Sequence, residues 1–368
     1  MAVTRVKISK NVLQWALQTT DLTEVALGRI IEKSKWLQAD ATVYLQPTIK
    51  QLGSFATQLH IPFGSLLLDE PSIIEDIRVA FRTQKNVPAE VSLTVRDVIY
   101  EMKRKQAWFK EESQVANEKI TIIGSARDLS TESTLKVVKR LLTLNHFGTA
   151  RQLFNDLREQ LAHLGILSMQ KGSAGLGTNR PLDVSELRAF VLLDDYAPLI
   201  FINQKDSYTA RVFSLVHEFI HILRGSDELL GGNDNDVAEE RKINRVVAAF
   251  LMPEEVFKRV FKRDDLNRAA HYFNVSPEAT VIRAKEIGII SRSMLVKIPD
   301  FSKNPNKGSG GNPYNTALSY NDGRYMNALI SAQERGALQP TRVASLIGVS
   351  YKMLDKTVEI FRERETLV

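Results

Sequence analysis

The chain has 368 residues, 43% of them hydrophobic, which is enough material for two or three domains with separate cores. It contains no cysteine, which excludes disulfide bonds and thiolate metal sites. Its net charge of +6 is a mild basic excess that permits nucleic-acid binding without arguing for it. The beginning, MAVTRVKISKNVLQWALQ, has no apolar signal region, and no run is long enough to span a bilayer. We therefore expect a soluble, cytoplasmic protein without a membrane partner.

Residues 1–70 are predicted to form short capped helices. Thr48 and Gln51 have the spacing of a capping box, and apolar residues at helical spacing follow them up to Leu59. The order of these helices and the ending QPTIKQLGSFATQLHIPFGSLLL resemble the helix-turn-helix domain of Xre-type repressors. Proteins of that family insert one helix into the major groove of DNA.

The recognition-helix region of that resemblance is EKSKWLQADATVY. Its vicinity offers four polar side chains that could touch phosphates or bases: Lys33, Lys35, Gln38 and Lys50. Trp36 and Leu37 look like core residues instead, and no arginine fork is positioned for guanine. DNA binding through residues 1–70 and loss of that activity therefore stay open as alternatives.

Residues 71–148 are predicted to form a helical connecting region, an all-α spacer with a basic, solvated face. Residues 149–300 begin with a helix, ARQLFNDLREQLAHLG, which is followed by three short apolar runs, ILSMQ, RAFVLL and PLIFIN. Their lengths, branched residues and turn-rich separations predict strands. A small sheet followed by further helices indicates a mostly helical α+β fold, and an exposed edge strand could hold an extended peptide by β-augmentation.

The stretch RVFSLVHEFIHILRG places two histidines and a glutamate in an apolar helix. Asp206 or Ser207 can cap its start, and Arg224 followed by Gly225 predicts its end. Apolar residues surround the polar ones on nearly all sides, so we expect the helix to be buried. Burying two imidazoles and a carboxylate without partners is costly, and a bound metal would offset that cost.

His217 and His221 are four residues apart, so on a helix they lie on one face, within reach of one metal ion. Glu218 points about 100° away around the helix axis, beside whatever the metal holds. This is the His-Glu-x-x-His arrangement, in which two neutral imidazoles bind zinc and the glutamate takes a proton from the metal's water. A core role is the alternative, and it suits an isolated histidine better than a pair at this spacing.

A catalytic zinc ion usually has three protein ligands. The stretch NDNDVAEERKINRVVAAFLMPEEVF supplies several carboxylates, and its second half predicts a helix that ends before Pro253. Glu240 continues the apolar stripe of this helix by one turn and is the favoured third ligand. Glu239 is the rival, and both carboxylates could instead be solvated in the first helical turn.

These segments resemble the ImmA/IrrE family of zinc-dependent metallopeptidases. The resemblance is carried by PLIFINQKDS, ARVFSLVHEFIHILRG and ERKINRVVAAFLMP, and it covers roughly residues 150–300 well. It implies a zincin-like peptidase domain over residues 149–300, with one zinc ion per chain and Glu240 as the third ligand. The departures from residues common in the family are Phe219, Ile220, Ile243 and Val247, and none removes a ligand. Manganese or iron would suit the same ligands.

Two further helical units follow the metal helices in the sequence. The first is LNRAAHYFNVSPEATVIRAKEIGII, which resembles a helix-turn-helix unit with Val275 and Ser276 at the turn. We expect it to be a packing unit, in which His271 has a structural or surface role. Residues 301–368 are predicted to contain a flexible stretch, SKNPNKGSGGNPYNT, and a C-terminal helical segment with a Gly-Val-Ser turn.

Two functions of different class follow. The first is a zinc endopeptidase in which Glu218 is the general base; the family resemblance implies that its substrate is a helix-turn-helix repressor or another partner regulator. The second is a transcriptional regulator or antitoxin that binds DNA or a cognate toxin without cleaving it, since long family members resemble components of toxin–antitoxin pairs. An intact motif favours the enzyme, because a pure binding module has no need of Glu218. No residue is assigned as oxyanion stabiliser, and no oligomeric state is predicted.

Overall fold

A computed structural model of the chain describes residues 4–18, 20, 22, 24–38, 44–59, 61, 63–71, 92–115, 119–144, 148–175, 180–226, 235–263, 265–291 and 312–366. The described residues before 72, together with residues 92–97, form one compact unit. Those from Val98 onward form a second, larger unit. The described residues are mostly helical with small sheets, which confirms the predicted α+β class.

In its described residues, the first unit contains three helices, the start of a fourth and a two-stranded antiparallel sheet. Its elements are β1 (Ile8–Ser9), α1 (Lys10–Gln18), α2 (Glu24–Lys33), β2 (Tyr44–Leu45) and α3 (Ile49–Leu59), with 3-10 segments at Lys35–Gln38 and Phe63–Leu67. Apolar residues at helical spacing on α3 pack against α1 and β1 in one core: Leu52, Phe55, Ala56 and Leu59. The predicted capping box precedes α3, since the Thr48 and Gln51 side chains each accept a hydrogen bond from the other residue's backbone N–H.

In the region predicted to hold the recognition helix, the described residues comprise the end of α2, a 3-10 turn at Lys35–Gln38 and the first residue of β2. Residues 39–43 lie outside the described part of the chain. Trp36 and Leu37 pack against the core of this unit, as predicted, and the Trp36 ring meets Phe55 edge-on at 5.1 Å between centroids. DNA binding by residues 1–70 stays a prediction.

The second unit is built around a three-stranded sheet. Its strands are the three predicted apolar runs, β3 (Leu167–Lys171), β4 (Ala189–Leu192) and β5 (Leu199–Asn203). The spatial order is β3-β5-β4, with β3 parallel and β4 antiparallel to the central strand β5. The central strand is buried along its whole length, which explains the apolar run Leu199–Ile202 before its last residue, Asn203.

Eight helices precede the C-terminal segment in the described part of this unit, and those after residue 130 share one continuous core with the sheet. In chain order they are α4 (Leu93–Val115), which enters this unit at Val98, α5 (Thr131–Leu141), α6 (Ala150–His163), α7 (Tyr208–Arg224), α8 (Asn235–Leu251), α9 (Glu254–Val260), α10 (Leu266–Phe273) and α11 (Pro277–Glu286). Asn274, in the left-handed conformation, ends α10, and Ser276 caps α11, so the predicted turn is present. Both helices contribute side chains to the common core, which confirms that they are a packing unit.

The C-terminal segment consists of α12 (Pro313–Tyr320), α13 (Gly323–Glu334), α14 (Pro340–Ile347) and α15 (Leu354–Thr366). It belongs to the second unit and covers the outer edge of β3. There, Asp322 accepts a hydrogen bond from the backbone N–H of Ser168 at 3.1 Å, and Arg158 donates to the carbonyl of Ser168 at 2.8 Å. Most of the predicted flexible stretch, residues 302–311, lies outside the described residues.

The expectation of a solvated basic face on the connecting region is wrong for Lys105. This side chain of α4 is 1% exposed and donates a hydrogen bond of 2.6 Å to Asn321. No helix in the described residues combines the length and the apolar character needed to cross a membrane.

Candidate metal centre

Helix α7 begins and ends where its sequence predicts. Ser207 caps it by accepting a hydrogen bond from the backbone N–H of Ala210. Gly225 ends it with φ of +64°, a left-handed conformation in which a Cβ atom would approach the Gly124 backbone to 3.2 Å. The helix between them is largely buried, which fixes the direction of its polar side chains.

Three side chains converge on one point between α7 and α8. The Nε2 atoms of His217 and His221 lie 3.1 Å apart. Glu240 places Oε1 at 3.1 Å from His221 Nε2 and Oε2 at 3.4 Å from His217 Nε2. The histidine side chains are 6% and 4% exposed and that of Glu240 22%, so the group is open to solvent mainly on the glutamate side.

This geometry fits a metal ion. Ligands bonded at about 2.0–2.1 Å around a tetrahedral zinc ion lie about 3.3 Å from one another. The three distances within the cluster are close to that value, so the donor atoms can reach one ion with little movement. Two imidazoles and a carboxylate suit zinc and several other divalent metals. Within the described residues it is the one group of at least three such side chains that could hold a metal.

The two neighbouring glutamates of α8 have different partners. Glu240 lies one turn before Ile243 and two turns before Val247, both fully buried, and this stripe turns it toward the histidines. Glu239 instead forms an ion pair with Arg224, in the last turn of α7, and lies 3.2 Å from Lys242. The structure therefore brings Glu240, not its rival, to the histidine pair.

Glu218 lies on α7 directly after the first histidine and is 4% exposed. Its position on the same buried helix as both histidines is the one that a base acting beside the metal requires. Metal binding by the cluster and proton transfer by Glu218 stay predictions.

Ser226 is a contact that the sequence analysis missed. Its hydroxyl lies 3.0 Å from Nδ1 of His221, and its backbone N–H donates to the His221 carbonyl at 3.1 Å. With Nδ1 as the hydrogen-bond donor, His221 keeps the lone pair of Nε2 for a metal. A serine after the terminal glycine of a helix has no distinctive pattern, so nothing in the sequence identified it.

The connecting region supports the end of α7, which the sequence also did not reveal. The backbone N–H groups of Gly124 and Ala126 donate to the carbonyls of Ile222 and Leu223, at 3.0 and 2.7 Å. These bonds satisfy carbonyls that a helix leaves unpaired at its C-terminus. The position of the last turn of α7 therefore depends on residues almost 100 positions earlier in the chain.

A comparison of the sequence with models of known protein families is consistent with a metal site at these residues. Residues 175–285 match the model of the family described as Peptidase_M78, IrrE N-terminal-like domain. The matched segment includes α7 and α8, and so all four candidate site residues, whereas residues 1–70 lie outside it. A search of curated proteins found no match. The family match supports the resemblance to ImmA/IrrE proteins and a metallopeptidase-like function for this part of the chain.

Proposed function

We propose that the chain is a zinc-dependent endopeptidase that cleaves a protein substrate. The observation that carries this proposal is the convergence of His217, His221 and Glu240, with Glu218 on the same buried helix. Structural ion pairs and core histidines do not require this combination, whereas hydrolysis of a peptide bond uses each of its members.

In the proposed reaction, His217, His221 and Glu240 hold the metal. When bound, zinc supplies positive charge that polarises the peptide carbonyl and makes water acidic enough to lose a proton near neutral pH. Glu218 accepts a proton from the attacking water as the new C–O bond forms. It then delivers that proton to the amine nitrogen as the C–N bond breaks.

The structure does not confirm the exposed edge strand expected from the sequence, because Phe190, Val191 and Leu192 of β4 are at most 3% exposed. The backbone N–H of Asn203 donates to the carbonyl of Arg188, just before β4. In an antiparallel ladder, hydrogen-bonded and non-hydrogen-bonded pairs alternate. The backbone groups of Ala189 and Val191 therefore point away from β5. Helix α7 packs on both β4 and β5. The outward backbone groups of Val191 are therefore covered, and the opposite edge, at Ser168, is bonded to Asp322 and Arg158.

The substrate we propose is a helix-turn-helix repressor or another partner regulator. Support comes from the resemblance to ImmA/IrrE proteins and from the match of residues 175–285 to the Peptidase_M78 family model.

The test is cleavage of candidate repressors and of a peptide library by the zinc-loaded full chain, beside the variant Glu218→Gln. This substitution keeps the size of the side chain and removes its ability to accept a proton. The wild type is expected to cleave, and the variant to retain metal while losing at least 100-fold in rate. If a metal-loaded wild type gives no cleavage that depends on Glu218, the chain is a binding protein and the proposal fails.

A further inference from the structure

The second unit contains a cleft of about 380 Å³ that none of the candidate metal ligands lines. Helix α4 supplies Glu101 and Arg104 to its wall, and the end of β3 supplies Lys171. Helix α14 and the turn after it supply Ser345 and Ser350. The cleft therefore lies where the C-terminal segment meets the sheet, and the proposed peptidase reaction does not use it.

Two buried ammonium groups beside this cleft share one carboxylate. Lys171, whose side chain is 4% exposed, lies 2.6 Å from one Glu101 oxygen. Lys105, whose side chain is 1% exposed, lies 3.5 Å from the other. Glu101 is the only carboxylate within 4.0 Å of either ammonium group in the described part of the chain. The second partner of Lys105, Asn321, is neutral, so the buried cluster has one positive charge in excess.

The protonation states keep this excess at neutral pH. Burial alone would raise the pKa of Glu101, but the charges of Lys105 and Lys171 outweigh it and hold that pKa below its usual value. Burial lowers the pKa of Lys105 to about 8, against the opposing attraction of Glu101, so this lysine is still mostly protonated at pH 7. The cluster therefore attracts an anion.

The exposed walls of the cleft carry side-chain donors without a partner among the described residues. The side chains of Arg104, Ser345 and Ser350 form no hydrogen bond and no ion pair with the residues that the structure describes. Ser350 precedes the 3-10 turn Tyr351–Met353 without capping it through its side chain. A guanidinium, an ammonium and two hydroxyls thus line one cleft of small-molecule size.

We propose that this cleft binds the phosphate monoester of a small organic molecule. Three terminal oxygens of a phosphoryl group can use the guanidinium, the ammonium and both hydroxyls, whereas a carboxylate has only two. The cleft is several times larger than a phosphoryl group, and Tyr351, 61% exposed, offers an aromatic face to the organic part. The bound ligand would contact Lys171, the last residue of β3. The carbonyl of Lys171 accepts a hydrogen bond from the backbone N–H of Gln204, which follows β5 and precedes α7.

The test is isothermal titration of the full chain with phenyl phosphate, and with benzoate as the carboxylate counterpart. We expect saturable binding of phenyl phosphate, at least tenfold tighter than binding of benzoate. Arg104→Met should weaken phenyl phosphate binding at least tenfold. Arg342→Met, an exposed arginine on α14 that does not line the cleft, should change it less than twofold.

A phosphate monoester could also bind a metal ion at the histidine pair, so the titration is repeated with His217→Ala. Binding that persists in this variant and falls in Arg104→Met supports the cleft, whether or not the chain proves to be a peptidase. The proposal is overturned if phenyl phosphate does not bind, if benzoate binds equally well, or if binding survives Arg104→Met unchanged.

Discussion

His221 has one ring nitrogen in the ligand cluster and the other against Ser226. The serine hydroxyl lies 3.0 Å from Nδ1 and can accept a hydrogen bond from it, which is the arrangement in the tautomer whose Nε2 atom can bind a metal. It also holds the imidazole plane, because a ring fixed at both nitrogens cannot rotate freely. We therefore expect Ser226 to act on metal affinity rather than on folding.

Ser226→Ala should raise the zinc Kd by about tenfold, the lower end of what such supporting contacts contribute. Ser207→Ala is the matched control, since it removes the cap of the same helix. It should lower the free energy of unfolding by about 1 kcal/mol and leave the zinc Kd within twofold. Competition with a chelator gives the Kd and urea titration gives the stability. Equal zinc affinities for both variants would show that Ser226 does not orient His221.

For single residues, the sequence predicts those side-chain directions that follow from helical spacing. His217 and His221 face the same side because they are four apart, and Glu240 joins them because Ile243 and Val247 fix the buried face of α8. The role of Ser226 was not predictable, since a serine after the terminal glycine of a helix has no distinctive pattern. The partner of Arg224 was not predictable either, since it depends on how α7 and α8 meet.

Helices α7 and α8 are joined by an ion pair beside the metal cluster. Arg224, with a side chain 7% exposed, pairs with Glu239, the residue before the candidate ligand Glu240. Arg224 also lies 3.4 Å from the Thr134 hydroxyl on α5. The pair thus fixes the first part of α8 against the end of α7, where a small rotation would move Glu240 away from the histidines.

Glu239→Gln should lower the free energy of unfolding by about 1–3 kcal/mol, because it leaves a mostly buried guanidinium without its carboxylate. It should also raise the zinc Kd several-fold. Lys242→Gln is the control: this lysine contacts the same glutamate but is 53% exposed, so its loss should cost less than about 0.5 kcal/mol. Chemical denaturation and chelator competition measure both effects. If the two variants behave alike, the pair does not position α8.

The elements of the peptidase-like region were predictable, but their arrangement was not. Three apolar runs between turn-rich segments predict three strands, and all three are present. The placement of β5 between β3 and β4 depends on how the strands pair in the assembled fold, and burial does not reveal it, since β3 and β5 are both buried along their whole length. In the first unit, the resemblance to Xre-type repressors places the recognition helix around Lys35–Gln38, whereas the structure has a 3-10 turn at these residues.

From Val98 onward the connecting helices belong to the same compact unit as the sheet. Lys105 of α4 is 216 residues before Asn321, yet the two side chains are hydrogen-bonded in the interior. The charge-rich sequence of α4 predicts a solvated face, and this prediction is wrong for Lys105. The partners of this lysine are distant in the sequence, so no local pattern indicates that it is buried. The C-terminal segment is likewise part of this unit through Asp322 and Ser168.

The buried lysine makes stability depend on pH. Below about pH 8, Lys105 is protonated in both the folded and the unfolded chain. Between that pH and the ordinary lysine value of 10.5, the unfolded chain retains a proton that the folded chain has released. The contribution of Lys105 to the free energy of unfolding therefore rises with pH across this window.

Lys105→Met removes this contribution. Urea denaturation between pH 7.5 and 10.5 should show the stability of the wild type rising relative to that of the variant as the pH increases. Parallel profiles for the two proteins would contradict the assignment of a depressed pKa to Lys105.

The most direct test of the account is the metal content per chain after equilibration with excess zinc and desalting. The wild type should retain about one equivalent, and His217→Ala and Glu240→Ala should lose it. His271→Ala and Glu255→Ala, at exposed positions, should retain the wild-type content. A wild type that retains no metal, or ligand variants that retain as much as these controls, would contradict the proposed metal centre and the peptidase function built on it.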